Sequence, residues 1–485
     1  MSRDVQAVID AVGQGPASPA IGAFFDLDGT IVQGYTAGTF FAEGIRRGQV
    51  GPAEMARILV SVIDGAVLGG DLQAVGETGL EALAGRSEDE LAELGERLFR
   101  QKIAGTIRPQ ARDLVRAHLL RGHTVAVASS ATRMQIEPVA RDLGIQHVLC
   151  TEMDAEDGIL TGRSSTGMLW GERKATAVRA FARARQVDLK QSYGYANGQE
   201  DIPFLASVGK PHAISPHPVL AVAARQHGWP VLTLREPISA GVRSYLGTAA
   251  ALAGMPVGVG VGVMTALARR NRRAGTNVGI GLACDLGMAL AGVRLNVAGE
   301  ENLTKSRPAV FVFNHQSTLD AVIIGALVRT DFTGVAKKEA RWDPRMLLAS
   351  ALLDPVFVDR GNSDRARASM DTVASRIKAG TSVVIAPEGT RTATPVLQAF
   401  KKGAFHLAMQ AGVPMIPVVI RNAGELMWRG SAVVNPGTVD VAVLDPIPTG
   451  DWTVGALNRV VGHVRQMFAD TLENWPDATA VGDGR

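Results

Sequence analysis

The feature that most constrains this chain is an uncharged segment in the middle of its sequence. No charged residue occurs from Tyr245 to Ala268, and four arginines follow at once within residues 269–273. This segment of 24 residues is long enough to cross a bilayer, although Pro256 and five glycines weaken a straight helix. Such a segment must be covered either by lipid or by the rest of the protein.

A second apolar segment follows the arginines, from Ala274 to Val293, and is interrupted by Asp285. The two segments together predict a helical hairpin over residues 240–295 that dips into one leaflet of a membrane. Its arginines favour anionic headgroups on the cytoplasmic side, which predicts a monotopic or peripheral protein there. The alternative is a hairpin buried against the protein's own core.

Strand-like and helix-like stretches alternate on both sides of the hairpin, which predicts two α/β domains with parallel sheets. The first domain is expected at residues 21–235, with helices over 35–105 inserted after its first strand as a cap. The second is expected at 296–476, and the end segments 1–20 and 477–485 are expected to be flexible. The predicted strands are IGAFFDLDG, TVAVASS, QSYGYAN and PHAIS in the first domain, and AVFVFN, FTGVA, VFVDR, TSVVIAPEG, MIPVVI and TVDVAVL in the second.

The bulk composition excludes several classes of protein. The balance of 50 basic against 47 acidic residues gives no indication of nucleic-acid binding. The two cysteines, Cys150 and Cys284, form no Cys-x-x-Cys, so neither a thiolate zinc site nor a disulfide framework is expected. Asp4 and Asp10 interrupt the first residues of the chain, and no secretory signal is expected.

Two aspartates stand at the end of the first predicted strand, in FFDLDGTIV. The spacing of Asp26 and Asp28 points both carboxylates in the same direction from a strand-like backbone. Parallel sheets bind ligands at the carboxyl ends of their strands, where such a pair can hold Mg²⁺ and attack phosphorus. Thr30, after the glycine turn, can donate a hydrogen bond to a phosphoryl oxygen.

Three further residues complete a candidate phosphate site. Ser129 ends the second strand and can donate a hydrogen bond, while Lys174 can neutralise charge on a transferring phosphoryl group. Asp201, in YANGQEDIPFL, can support a metal ion.

Together these residues resemble the haloacid-dehalogenase superfamily, specifically its phosphoserine-phosphatase-like branch with a helical cap. The resemblance covers residues 21–220 and implies a Rossmann-like domain. It implies that Asp26 is the nucleophile and that Asp28 is the general acid and base. It also implies a magnesium site made by Asp26, the carbonyl of Asp28, position 197 and Asp201.

One position departs from the pattern of this superfamily. Alignment on Asp201 and Pro203 puts Asn197 where the superfamily usually has a magnesium-binding aspartate. Asparagine can still ligate through its carbonyl, but one negative charge is lost, so magnesium binding should weaken unless Glu200 or Asp201 compensates. The domain is then either a phosphatase whose substrate the cap selects, or a phosphatase fold that serves as a structural, dimerisation or regulatory module.

The most informative stretch of the second domain is AVFVFNHQSTLDAVIIGAL. A buried strand delivers His315 to a turn, and a helix then starts with Ser317 or Thr318 as its cap. Asp320, in the first turn of this helix, can hold the imidazole in one tautomer and stabilise its cation. No protein nucleophile is needed, because the hydroxyl of a substrate would attack.

Basic and small residues follow at the ends of later strands. PEGTR ends the strand TSVVIA, where Gly389 lets the backbone approach a phosphate and Arg391 can clamp it. Arg360 ends the strand VFVDR. Lys337 and Lys338 follow FTGVA and can meet phosphate groups, although a solvated basic face explains them equally well.

These motifs resemble the 1-acylglycerol-3-phosphate O-acyltransferases of the glycerolipid acyltransferase family. The four blocks of that family, N-H-x4-D, an arginine block, E-G-T-R and a V-P-x-x-P-type block, occur in order over about residues 310–420. The resemblance implies that His315 is the general base and that Asp320 orients it. The residues that it implies in glycerophosphate binding are Glu388, Gly389, Thr390, Arg391 and Arg360.

The two resemblances imply a membrane-associated enzyme of phospholipid biosynthesis with a second, phosphatase domain. The implied substrates are a lysophosphatidate and an acyl thioester, either acyl-CoA or acyl carrier protein, and the implied cofactor is magnesium in the first domain. A membrane surface with anionic lipids is an expected partner, nucleic acid is not, and a homo-oligomer stays open. A competing hypothesis makes the phosphatase the main activity, which predicts magnesium-dependent phosphate release that mutation of His315 leaves intact.

Overall fold

The computed structural model describes residues 3–48, 72–338, 355–358 and 363–476. The chain divides into two compact units, Met1–Pro237 and Ile238–Arg485. Both units are built on sheets with helices between most of their strands, which confirms the α/β class predicted from the alternating sequence pattern.

The first unit contains a parallel sheet of six strands and a separate two-stranded ribbon. The strands of this unit are β1 Gly22–Phe25, β2 Thr124–Thr132, β3 His147–Thr151, β4 Ala155–Glu156, β5 Ile159–Leu160, β6 Tyr193–Ala196, β7 Lys210–Ile214 and β8 Val231–Leu232. The order across the parallel sheet is β3-β2-β1-β6-β7-β8, while β4 and β5 pair antiparallel. The predicted strands correspond to β1, β2, β6 and β7. The edge strands β3 and β8 escape prediction because neither is a continuous buried run.

Helices connect these strands, and those after β1 form the predicted cap insertion. The helices of the first unit are α1 Arg3–Gln14, α2 Thr36–Arg46, α3 Leu72–Glu81, α4 Glu88–Gln101, α5 Pro109–Leu120, α6 Arg133–Leu143, α7 Glu172–Arg185, α8 Ile202–Ala206 and α9 Pro218–His227. Part of the predicted cap, residues 49–71, lies outside the described residues, as does the predicted C-terminal tail.

The expectation that residues 1–20 are flexible is wrong for most of that segment. Residues 3–14 form α1, whose Val5 and Val12 are fully buried. The segment after α1 is also held, because the His123 side chain lies 2.9 Å from the carbonyl oxygen of Pro16. The burial of Val5 and Val12 shows that packing against the domain orders this helix.

A buried cluster of histidine and tyrosine side chains joins α5 to the sheet. His118 lies 2.8 Å from His123 and 2.9 Å from the hydroxyl of Tyr195, while the ring of His212 stacks on that of Tyr195. Burial is the main cause that lowers the pKa of all three histidines, and it lowers the pKa of His212 to about 4. These histidines are therefore uncharged at neutral pH.

The second unit contains a mixed sheet of seven strands. Its strands are β9 Val293–Ala298, β10 Val310–Phe313, β11 Phe332–Lys337, β12 Val356–Val358, β13 Ser382–Ile385, β14 Met415–Ile420 and β15 Gly437–Val443. The order is β12-β11-β13-β10-β14-β15-β9, and the first five of these run parallel. β15 runs antiparallel to β14, and β9 runs parallel to β15. All six strands predicted for this domain are present. β9 was not predicted, because its first residues fall in the segment 240–295 that was assigned to the hairpin.

The helices of the second unit begin with the predicted hairpin. They are α10 Val242–Arg269, α11 Arg272–Ala291, α12 Asn302–Lys305, α13 Leu319–Val328, α14 Ser363–Lys378, α15 Gly403–Ala411, α16 Ala423–Leu426 and α17 Leu457–Glu473. By length and composition alone, α10 and α11 could each cross a membrane.

The two hairpin helices form successive layers on the second unit. α11 contributes Ile280, Cys284 and Met288 to the same hydrophobic core as β10 and α13. α10 packs on α11. In the most apolar stretch of 18 residues of each helix, 17% is buried in α10 and 50% in α11. α11 therefore packs on the protein's own core, as the second alternative predicted, whereas α10 exposes an apolar face.

The turn of the hairpin is held against the sheet by one of its arginines. Arg273 forms an ion pair with Asp331 and donates to the carbonyl oxygen of Gly380 at 2.9 Å. Asp331 directly precedes β11, and Gly380 precedes β13, so the turn lies at the amino-terminal edge of the parallel strands. Arginines were expected among lipid headgroups, but Arg273 binds the protein's own surface, because Asp331 is available there as an ion partner.

Small residues let α10 and α11 approach closely. A Cβ atom at Gly262 would lie 2.6 Å from the Cα atom of Gly279, and one at Gly258 would lie 2.4 Å from the amide nitrogen of Ala283. Spacing of four residues puts these glycines on one face of α10, as in close-packed membrane helices. Gly260, by contrast, has open space around it.

We expect Gly262→Val to destabilise the hairpin by about 1–3 kcal/mol, because the side chain must displace backbone of the facing helix. Gly260→Val is the matched control, since it changes helix propensity equally but meets no neighbour. Thermal unfolding and limited proteolysis of detergent-purified protein measure the difference. Equal losses in the two variants would contradict the packing explanation.

We expect the first unit to lose stability as the pH falls from 6.5 towards 4. The folded pKa of His212, about 4, lies below its ordinary value of 6.5, so the unfolded state binds more protons in this range. His212 alone should cost about 2 kcal/mol at pH 5. Hydrogen exchange of peptides spanning residues 193–214 measures this loss. His212→Gln should reduce the pH dependence, whereas His227→Gln, on the surface, should not.

Candidate active sites

A buried lysine joins two aspartates at the carboxyl end of the first sheet. Asp26 directly follows β1, and its Oδ1 atom lies 2.6 Å from Nζ of Lys174. The same Nζ lies 2.7 Å from Oδ1 of Asp201, and all three residues are buried. Burial by itself would lower the pKa of Lys174, but the carboxylates of Asp201 and Asp26 outweigh it and raise that pKa. The lysine is therefore a permanent cation beside Asp26.

The second aspartate of the DxDGT sequence is held by the start of the cap. Oδ1 of Asp28 accepts a hydrogen bond from the amide of Thr36 at 2.8 Å, and Oδ2 accepts one from the Thr36 hydroxyl at 3.2 Å. Burial is the main cause that raises the pKa of Asp28 to about 7, and the negative charge of Asp26 adds to it. A carboxyl group with this pKa can both donate and accept a proton near neutral pH.

Oxygen atoms suited to a hard cation converge next to Asp26. The hydroxyl of Thr30 lies 3.3 Å from Oδ2 of Asp26 and 3.1 Å from Oδ1 of Asn197, so these two oxygens are neighbours. Among the described residues, no three acidic, histidine or cysteine side chains could enclose a metal ion by themselves. The donor set nevertheless fits Mg²⁺, which accepts carbonyl and amide oxygens beside a carboxylate.

Ser129 stands apart from this group in its hydrogen bonding. It is buried within β2, three residues before the strand ends, and its Oγ atom accepts from the amide of Ala131 at 3.2 Å. The structure gives it no hydrogen bond to Asp26, Thr30 or Lys174, which the predicted phosphate site groups with it.

The strand β10 delivers His315 to the carboxyl edge of the second sheet. Asn314 fixes this end of the strand, because its amide group exchanges two hydrogen bonds with the backbone of Ile420, at 2.7 and 2.8 Å. These bonds continue the pairing of β10 with β14 by one residue. The His315 side chain remains 24% exposed, so it is accessible from this edge.

One oxygen of Asp320 organises the turn that follows. Oδ2 accepts from Nδ1 of His315 at 2.9 Å and from the amides of Gln316 and Ser317 at 2.7 and 2.8 Å. The pair predicted from the H-x4-D spacing is therefore formed. Nε2 of His315 makes no hydrogen bond to a described residue and is free to meet a substrate.

The predicted helix cap is only partly correct. Thr318 stands at the N-cap of α13, but its side chain makes no capping hydrogen bond. Ser317 accepts from the amide of Leu319 at 3.1 Å and donates to the carbonyl oxygen of Met427 at 2.6 Å. The hydroxyl of Thr318 instead accepts from the guanidinium of Arg391.

The E-G-T-R segment clamps the backbone of His315. Glu388 is buried, with Oε1 accepting from the amide of His315 at 2.8 Å and Oε2 from the amide of Gln398 at 2.9 Å. The amide of Thr392 donates to the carbonyl oxygen of His315 at 2.8 Å. Burial is the main cause that raises the pKa of Glu388, although both amide hydrogen bonds oppose it. Each backbone group of His315 is thus bonded to this segment.

Sequence reasoning missed two residues of this clamp. Thr392 and Gln398 act through backbone amides, which carry no signal in side-chain chemistry. Thr392 directly follows the E-G-T-R motif and is the one that its position in the sequence could have suggested.

For the other predicted phosphate-binding residues, apart from Arg360, the structure shows where they lie in the chain. Gly389 has a φ of 76°, a conformation that favours glycine and turns the chain after β13, and Thr390 is exposed beside it. Lys338 is exposed, and Lys337 ends β11. Arg360 lies outside the described residues.

Both units match known families. The haloacid dehalogenase-like hydrolase model matches residues 23–206, and the acyltransferase model matches residues 294–421. The chain therefore belongs to the haloacid dehalogenase-like hydrolases in its first unit and carries an acyltransferase-family domain in its second.

Individual relatives match different parts of the chain. The phosphoserine phosphatase SerB1 of Mycobacterium tuberculosis is 32% identical over 277 residues, which cover 56% of this chain and 88% of that protein. A 1-acyl-sn-glycerol-3-phosphate acyltransferase of Saccharomyces cerevisiae is 34% identical over 197 residues, covering 40% of this chain. The chain spans only 65% of the length of that acyltransferase. A crystal structure of the acyltransferase PlsC from Thermotoga maritima is 22% identical and has a TM-score of 0.42, covering 49% of this chain and 98% of that one.

Proposed function

We propose that the second unit transfers an acyl chain from acyl-CoA or acyl carrier protein to the free hydroxyl of a lysophosphatidate, giving phosphatidate for phospholipid biosynthesis. The observation that carries this proposal is the contact of 2.9 Å between Nδ1 of His315 and Oδ2 of Asp320. The acceptor is supported by the name of the yeast relative, which acts on 1-acyl-sn-glycerol 3-phosphate.

The proposed chemistry starts at the free nitrogen of His315. Nε2 removes the proton of the acceptor hydroxyl while Asp320 stabilises the imidazolium that forms. The alkoxide attacks the thioester carbonyl carbon, the carbon–sulfur bond breaks, and the thiolate takes the proton back from His315. The ester and the free thiol are the products, so atoms and charge balance.

The E-G-T-R segment is proposed to have two roles. Glu388 positions His315, since both of its oxygens already accept backbone amides. Arg391 is proposed to bind the acceptor phosphate with Gly389, Thr390 and Arg360. One guanidinium nitrogen of Arg391 donates to Thr318, and its other donors, which make no hydrogen bond to a described residue, are proposed to bind the phosphate.

We propose that α10 holds this unit on the cytoplasmic surface of a membrane. The support is the set of exposed apolar side chains along the helix, since contiguous exposed apolar surface marks sites of protein or membrane contact. The residues of this set are Val242, Tyr245, Leu246, Leu252, Val257, Val261, Val263, Met264 and Leu267. A lipid acceptor partitions into the bilayer, so an active site beside such a helix meets its substrate there.

The start of α10 is linked to the His315 site through one loop. Thr248 accepts a hydrogen bond from the amide of Val434 at 2.8 Å. In the same loop, the carbonyl oxygen of Met427 accepts from Ser317, two residues after His315. The hairpin turn, by contrast, lies at the opposite edge of the sheet, so membrane contact along the side of α10 suits the site better than insertion of the turn.

We expect His315→Ala to lower acyl transfer to a lysophosphatidate by about 10²–10⁴-fold, because the general base is lost. His406→Ala is the matched control, since His406 is exposed on α15. The assay follows free thiol release from acyl-CoA in lipid vesicles. Retention of more than about a tenth of the activity in His315→Ala would exclude the proposed mechanism.

We further propose that the first unit is a magnesium-dependent phosphatase acting on a phosphomonoester. Support comes from Asp26, whose Oδ1 is held by Lys174 while Oδ2 faces Thr30 and Asn197. Asp26 would attack phosphorus as Asp28, with its raised pKa, protonates the leaving alkoxide; Asp28 would then deprotonate the water that releases phosphate. Magnesium, when bound, would neutralise charge on the phosphoryl oxygens.

The alternative is that this unit is a structural, dimerisation or regulatory module without turnover. The absence of a carboxylate at Asn197 favours it, because hard cations prefer carboxylates. This alternative requires that no phosphomonoester is hydrolysed and that acyl transfer survives loss of Asp26.

We expect phosphate release with magnesium from at least one of phosphoserine, glycerol 3-phosphate, lysophosphatidate and phosphatidate, and loss of that release in Asp26→Asn. Asp157→Asn is the control, since it changes an exposed turn residue of the same type. Inorganic phosphate is measured with full-length protein. No release from any of the four, with acyl transfer intact, would support the module.

A further inference from the structure

The lysine of the phosphatase site already neutralises one of the acidic groups on the loop after β6. Asp201 is only 1% exposed, and its Oδ1 atom lies 2.7 Å from Nζ of Lys174. The same nitrogen holds Asp26. Either Glu200 or Asp201 was expected to compensate for Asn197 at a cation site, but Oδ1 of Asp201 is engaged with Lys174.

Position 197 provides an oxygen without a charge. The side chain of Asn197 packs directly on Gly29, where a Cβ atom would lie 2.2 Å from Nδ2. Its Oδ1 atom lies 3.1 Å from the Thr30 hydroxyl, which also faces Asp26. A cation bound by Asp26, the carbonyl of Asp28 and the amide of Asn197 would contact a single carboxylate, and the affinity for a hard dication rises with the number of charged ligands.

A second carboxylate lies beside this group. The carboxylate of Glu200 packs over Gly198, since a Cβ atom there would lie 2.2 Å from Oε1 and 2.6 Å from Oε2. Gly198 directly follows Asn197. Glu200 is partly buried and forms no ion pair with a described residue. Its charge, added to that of Asp26, would attract a cation bound on this loop.

We propose that Glu200 supplies the negative charge that Asn197 lacks at the cation site of the first unit. The charge of the site is thereby moved by three positions along the loop, and Asp201 is left to orient Lys174. This inference rests on the proposed magnesium-dependent phosphatase. Glu200 acts as a positioning residue for the cation, through its charge, beside the oxygens of Asp26, Asp28 and Asn197.

The test measures Mn²⁺ affinity of full-length protein by electron paramagnetic resonance, without substrate. Glu200→Gln should weaken binding by about 10-fold or more, because one of two carboxylates is lost. Adding Asn197→Asp to Glu200→Gln should return the affinity to within about 3-fold of the original. Glu156→Gln, at an exposed position of the same unit, controls for the general loss of one charge.

Three outcomes would overturn the inference: unchanged affinity in Glu200→Gln, tighter binding in that variant, or no recovery in the double variant. Thermal unfolding of each variant shows whether lost affinity reflects lost structure, and recovery in the double variant excludes that explanation directly. If the original protein binds no Mn²⁺, both this inference and the magnesium-dependent phosphatase fail. If it binds Mn²⁺ through Glu200 but releases no phosphate, only the phosphatase fails.

Discussion

The contact on which the second unit depends is that of one Asp320 oxygen with three donors. Oδ2 meets the imidazole of His315 and two backbone amides, so a buried carboxylate is stabilised by the groups whose geometry it sets. The backbone of His315 is then fixed from its other side by Glu388 and by the amide of Thr392. The histidine is therefore held through its ring, its amide and its carbonyl, which leaves Nε2 as the atom with freedom to react.

Both units place a candidate reactive residue at the carboxyl edge of their parallel strands. Each has its candidate reactive residue at the carboxyl end of a fully buried strand, with Asp26 directly after β1 and His315 two residues after the end of β10. The carboxyl edge of a parallel sheet suits this because neighbouring strands end side by side and deliver their following loops to one point. The partners differ with the chemistry. Asp26, the proposed nucleophile, is paired with the cation of Lys174, whereas His315, the proposed general base, is paired with the anion of Asp320.

The hairpin connects the fold of the second unit with its proposed environment. α11 is part of the hydrophobic core, and α10 adds Ala251 to that core and packs on α11 through closely approaching glycine and alanine backbone. This division explains how an apolar helix can remain exposed along its length and still be held firmly. In the proposed membrane-bound state, lipid contacts α10 while the arginine-bearing turn is bound to the protein at Asp331, so the His315 edge would lie near the bilayer.

The sequence by itself determined the two α/β domains, their order, the hairpin and the pairing of His315 with Asp320, because these depend on local pattern and short spacing. It also identified Asp26 and Lys174, which lie in separate motifs. Only the tertiary structure decided that Asp201 belongs to Lys174, that Glu388 binds the backbone of His315, and that Arg273 binds Asp331. These contacts join residues 27, 73 and 58 positions apart, and one of them uses a backbone amide. Side-chain type cannot reveal such partners, since a carboxylate suits a metal, a lysine or an amide equally well, and only proximity in the fold selects among them.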